Sequence, residues 1–179
     1  TVEGLDQTVL QLAEKKGYQI VTSASELANQ DSGKLLGLFS PITMPALWRG
    51  ENDRVAEKPE VSLLNSIHWM LGSVTYPEPM HCEENPKHLG MPSLASMTAE
   101  ALSRLAGEDA GDDTFFLMIE SASIDKQSHE RKACGSIGEL QQLDESLELA
   151  LAFAENHPDT LVLVTADHGQ AAQLVPERT

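Results

Sequence analysis

Basic side chains are scarce in this 179-residue chain: 12 Lys and Arg stand against 28 Asp and Glu, a formal net charge of −16. Phosphate backbones are held by clustered Lys and Arg, and no such patch occurs, so the sequence argues against nucleic acid as a partner. Long apolar runs are missing too. No stretch approaches the ~20 residues that a membrane-spanning helix requires, so no membrane partner is expected. There is no basic-then-apolar leader, and the first residue is Thr1 rather than Met, the pattern expected of a processed chain or of one cut from a longer protein. Cysteine is limited to Cys82 and Cys134, which composition leaves open as buried thiols or one disulfide. The remainder, 41 % hydrophobic and 22 % charged, is that of a soluble globular protein with one core. The acidic excess reads as a solvated surface. An anionic ligand would then need local positive charge, which bound metal ions supply best.

Local patterns give the order of elements. In "TVLQLAEKKGYQIVTSASEL", Val9, Leu10, Leu12 and Ala13 form a helical stripe, Gly17 is placed to cap it, and Tyr18–Thr22 reads as a strand. "KLLGLFS" is a second short strand. Seven of the nine prolines fall within residues 41–92, which predicts long surface loops, with a short amphipathic helix in "SLLNSIHWML". "PSLASMTAEALSRLAG" is a helix closed by Gly107. "TFFLMIE" and "TLVLVTAD" are near-continuous apolar strands, joined by the longest helix, "SIGELQQLDESLELALAFAENH". That helix carries Leu140, Leu143, Leu147, Leu151 and Ala154 on one face. Strand, helix and apolar strand make a βαβ unit, so the predicted class is α/β, a parallel-type sheet sandwiched by helices in a single domain over residues 1–179.

Chemistry gathers at the carboxyl ends of the two apolar strands, where open α/β sheets bind ligands. Glu120, Asp125, Lys126 and His129 follow the first, and Asp167 and His168 follow the second. A helical turn would place Asp125 and His129 on one face, a pairing that suits zinc and equally suits an ordinary surface pair. Asp167 and His168 could share a metal only where the strand has ended, a turn that Gly169 permits; Asp167 could as well be a helix cap. Lys126 beside these groups is either solvated or aimed at an anion such as phosphate.

The blocks "ESASIDKQSHERKACGSIGE" and "LVLVTADHGQAAQ" resemble the alkaline phosphatases, whose strand ends in Glu and is followed by I-D-K-Q-x-H and later by T-A-D-H. Weaker similarity runs upstream through "GYQIVTSASEL", "KLLGLF", "MPALWRG" and "PSLASMTAEAL", in family order. The resemblance covers nearly the whole chain but only the middle of a family member. It implies an alkaline-phosphatase-like fold and hydrolysis of phosphate monoesters with two zinc ions and one magnesium ion. Asp125 and His129 would ligate the first zinc, Asp167 and His168 the second, and Glu120 the magnesium. Lys126 would reach phosphate through water. The nucleophilic serine, the first shared aspartate and the last zinc histidine belong to family segments outside these motifs, so residues 1–179 alone are expected to be inactive. The family also implies a Cys82–Cys134 disulfide, a homodimer, and an oxidising location, periplasmic or secreted.

Departures from the family pattern are specific. Gln170 stands where relatives often carry histidine, Ser121 where glycine is frequent, and "SLLNSIHWMLGSVTY" matches no family segment, as an insertion would. "QDSGK" mimics a nucleophile motif, but its place in a polar turn before "KLLGLF" argues against a catalytic Ser32. Two rival readings stand beside the phosphatase. One is a metal-binding piece without turnover. The other is a different superfamily member, a cofactor-independent phosphoglycerate mutase or a phosphodiesterase, against which the I-D-K-Q-x-H block speaks.

Overall fold

A computed structural model describes residues 7–30, 33–57, 62–73, 77–107 and 114–170 of the chain. Helix α1 (Val9–Lys15) opens on a capping box, in which the Thr8 hydroxyl accepts from the Gln11 amide and the Gln11 side chain accepts from the Thr8 amide. Gly17, at φ 82°, lies just past its C-cap and turns the chain into β1 (Gln19–Val21). The α1 stripe remains outside the core, with no buried residue. After the short helix α2 (Ala24–Leu27), β2 (Leu35–Gly37) returns parallel to β1, pairing Ile20 with Leu36. Val21 and Leu27 are buried here.

The proline-rich stretch holds more order than its composition predicts. Strands β3 (Trp48–Gly50) and β4 (Cys82–Glu84) pair antiparallel, with Arg49 opposite Glu83 and Gly50 opposite Cys82. Their pairing is non-local, so a composition-based reading sees only the loops between them. The expected amphipathic helix forms as α3 (Leu63–Met70), capped by Ser62. Leu63, Leu64 and Met70 are exposed on it.

Helices α4 (Leu94–Ala106), α5 (Ser123–His129) and α6 (Ala133–Asn156) form the main packed unit, α6 resting against α4, α5 and β3. Ser93 caps α4, and Gly107 ends it in an extended rather than a left-handed conformation, at φ −71°. The buried face of α6 differs from the expected leucine face. Cys134, Gly135, Gly138, Glu139, Gln142 and Ser146 are buried, while Leu140 and Leu151 are exposed. Small residues win because they admit close neighbours. A Cβ on Gly138 would lie 2.9 Å from the Trp48 amide nitrogen. The buried carboxylate and amide of α6 are partnered: Glu139 accepts from the Leu47 amide at 3.0 Å and from Gln142 at 2.9 Å, and Gln142 accepts from the Leu94 amide at 3.1 Å. Cys82 and Cys134 are joined in a disulfide that ties β4 to α6.

The two apolar segments expected as strands, 114–120 and 160–167, do not enter a ladder among the described residues. Phe116, Leu161 and Leu163 are all about four-fifths exposed or more. A strand apolar on both faces needs hydrogen-bonding neighbours and two covering layers, and the described residues supply neither. Phe115 meets Phe153 of α6 edge-on, and Leu117, Ile119 and Val162 are half-buried. The class is nonetheless α/β: a parallel strand pair with helices.

Candidate metal and phosphate site

Helix α5 begins directly after the 114–120 segment. The Ser128 hydroxyl donates to the Ile124 carbonyl at 2.7 Å and meets Ser136 of α6 at 2.9 Å, which seats α5 on α6. Ser121 donates to the Glu139 carbonyl at 2.9 Å, so the hydroxyl found in place of glycine anchors the approach to α5. Arg131, at φ 58°, turns the chain between the two helices. On the seat so formed, Asp125 and His129 share a face as their spacing predicts, with His129 Nε2 3.4 Å from Asp125 Oδ1.

The second cluster reaches the first. His168 Nε2 lies 3.8 Å from Asp125 Oδ1 and 3.6 Å from Asp167 Oδ2. Asp167 bends over its own neighbour, accepting from the His168 amide at 2.9 Å. His168 Nδ1 faces the Gly169 carbonyl at 3.2 Å. Both ring nitrogens of His168 thus face oxygen acceptors, the Gly169 carbonyl on one side and the two carboxylates on the other. Gln170 donates its side-chain amide to the same Asp125 Oδ1. The amide thus holds the carboxylate at the position where relatives often have an imidazole.

Two imidazole nitrogens and two carboxylates, at separations beyond a direct hydrogen bond, are donors of the kinds that zinc accepts. The set is matched in chemistry but not closed in geometry. Among the described residues, no three His, Cys, Asp or Glu side chains converge closely enough to hold a metal ion. Pairwise approach to Asp125 is a weaker condition than convergence on one point. Glu120 stands exposed at the end of its segment, and among the described residues no ion pair or hydrogen bond joins it to the other four. Lys126 is exposed, its Nζ donating to Thr43 Oγ1 at 3.2 Å. Thr43 has no spacing signal in the sequence; it lies in the proline-rich stretch, and only the fold brings it to α5. Ser32 lies outside the described residues.

Comparison with known proteins points the same way as the chemistry of these side chains. The family model for alkaline phosphatase matches residues 3–178. Alkaline phosphatase H of Pseudomonas aeruginosa is 40% identical over 97% of this chain, and alkaline phosphatase of Escherichia coli is 38% identical over the same share. Streptomycin-6-phosphate phosphatase of Streptomyces griseus is 37% identical over 95% of the chain. The chain spans about a third of the length of these relatives, 33%, 34% and 35% in turn. Among solved structures, Thermus thermophilus alkaline phosphatase superposes with a TM-score of 0.54 at 27% identity, covering 86% of this chain and 24% of that one.

Proposed function

Since the chain belongs to the alkaline phosphatase family, we propose that it supplies part of the metal and phosphate site of a phosphate monoester hydrolase. The observation that carries the reading is the approach of His129, at the end of α5, and of His168, beyond α6 in the chain, to one oxygen of Asp125. Asp125 and His129 would hold one zinc, Asp167 and His168 the second, and Glu120 a magnesium ion. Metals held there would supply Lewis-acid stabilisation of charge on phosphoryl oxygens. The reaction runs through a phosphoserine whose serine lies in a family segment beyond these motifs. Lys126 presents an ammonium to the phosphate, and Gln170 keeps the Asp125 carboxylate turned toward the imidazoles. The Cys82–Cys134 bridge supports a periplasmic or secreted location, because such bonds persist in oxidising compartments. Among the described residues no helix is long and apolar enough to cross a membrane. The working unit is a homodimer.

The test uses the full-length protein, with zinc content measured beside hydrolysis of a chromogenic phosphate monoester. Asp125→Ala and His129→Ala are each expected to lower both together. Zinc retained in both variants removes the ligand assignment. Zinc bound without any turnover by the unmutated protein favours the rival reading, a metal-binding protein that is not a phosphatase.

A further inference from the structure

We infer that Thr43 is a positioning residue for Lys126, an inference that rests on the reading of Lys126 as the phosphate contact. The lysine is exposed at the mid-point of a seven-residue helix, and a free four-carbon stem there would sample many rotamers. Its Nζ instead donates to Thr43 Oγ1 at 3.2 Å. An ammonium has three N–H donors, so one bond to a hydroxyl leaves two for an anion.

The hydroxyl is itself well held. Thr43 is half-buried beside Ile42, which is 94% exposed. The Ser40 hydroxyl donates to the Thr43 carbonyl at 2.8 Å. Further along, the Pro45 carbonyl meets His88 Nδ1 at 2.9 Å, the Ala46 carbonyl accepts from Asn85 at 2.9 Å, and the Leu47 amide donates to buried Glu139. The segment is therefore fastened both to the turn at 85–88 and to α6, the helix on which α5 sits. β-Branching restricts the Thr43 χ1, which makes the hook stiffer than a serine would be.

The partner's neutrality matters as much as its place. With 28 acidic against 12 basic residues, carboxylates are the common acceptors in this chain. Arg49, Arg54, Arg104 and Lys132 all pair with them. Lys126 pairs with a hydroxyl and so keeps its full charge for an anionic ligand.

The experiment compares Thr43→Val, Thr43→Ser, Lys126→Ala and the Thr43→Val/Lys126→Ala double variant of the full-length enzyme. KM and kcat for a chromogenic phosphate monoester, the inhibition constant of inorganic phosphate, and zinc content are measured for each. Thr43→Val is near-isosteric and is expected to raise KM and the phosphate inhibition constant about three- to tenfold, with zinc unchanged. Thr43→Ser is expected to restore most of the loss, and Thr43→Val to add nothing in the Lys126→Ala background. If Lys126→Ala weakens phosphate but Thr43→Val does not, or if the two effects add, the positioning role is overturned. If Lys126→Ala leaves the phosphate constant unchanged, the Lys126 reading falls and the inference with it.

Discussion

His168 Nε2 lies 3.8 Å from Oδ1 of Asp125, although the whole of α6 separates the two residues in the chain. His129 Nε2 approaches the same oxygen at 3.4 Å. One carboxylate oxygen therefore lies near both imidazoles, and its removal leaves the two proposed ligands without their shared neighbour. Asp125→Ala in the full-length protein is expected to lose more zinc than either His129→Ala or His168→Ala alone. Equal losses in all three, measured by elemental analysis, would mean that Asp125 is not the shared centre.

A polypeptide of residues 1–179 is expected to bind zinc without hydrolysing phosphate esters. Each proposed zinc keeps two ligands here, whereas a catalytic zinc usually has three and an open position. Binding to the folded state alone still raises stability by mass action. A thermal melt with and without zinc should show an upward shift. Turnover that survives removal of contaminating phosphatase and vanishes in Ser32→Ala would restore the serine that its place in a polar turn argues against.

The bridge between Cys82 and Cys134, 52 residues apart, restricts the unfolded chain. In the chain-entropy picture this contributes on the order of 4 kcal/mol, less any strain. Cys82→Ser/Cys134→Ser in the full-length protein should lower the melting temperature and loosen the β4–α6 junction. Thiol titration of the unfolded, unreduced protein should find neither cysteine free; two reactive thiols would contradict the bridge.

Local signals carried most of the helices and the first sheet. Gly17 marks a helix end through backbone chemistry that a few neighbouring residues decide. The Asp125–His129 pairing follows from helical spacing alone. Other features depend on partners distant in the chain. Residues 114–120 and 160–167 have strand-like composition, but a ladder requires a neighbour that composition does not name. The leucines of α6 have the right period, yet Gly138 and Gly135 let Trp48 and Gln127 come closer than any leucine would. Thr43 reaches Lys126 only through the packing of its loop on α6.

Gly138→Ala tests that close approach directly. Alanine favours a helix over glycine by about 0.5–1 kcal/mol. The added methyl would meet the Trp48 side chain and its amide nitrogen, the latter at 2.9 Å, and backbone cannot yield as a flexible side chain can. Overpacking of this kind costs about 1–3 kcal/mol, so the net effect is a loss of stability. Urea unfolding of the full-length protein should show a lower midpoint. A raised midpoint would mean that β3 moves away from α6 at little cost.

Glu51 supplies the pH dependence. Its carboxylate accepts from the His81 amide at 2.6 Å and pairs with Arg54 at 2.6 Å. The bond from the His81 backbone, aided by the Arg54 side chain, holds its pKa below the ordinary carboxylate value. A group with a depressed folded pKa contributes stability that is fully present above its unfolded pKa. That contribution is lost as pH falls through the folded value. Glu51→Gln can still accept from the His81 amide but carries no charge for Arg54. The variant should therefore be less stable than the unmutated protein at neutral pH. The gap should persist down to the ordinary Glu value and close below it, as Glu51 itself becomes protonated. Denaturant midpoints for both proteins across the acid range decide the matter. A gap that widens toward acid would reverse the sign and remove Glu51 as the source.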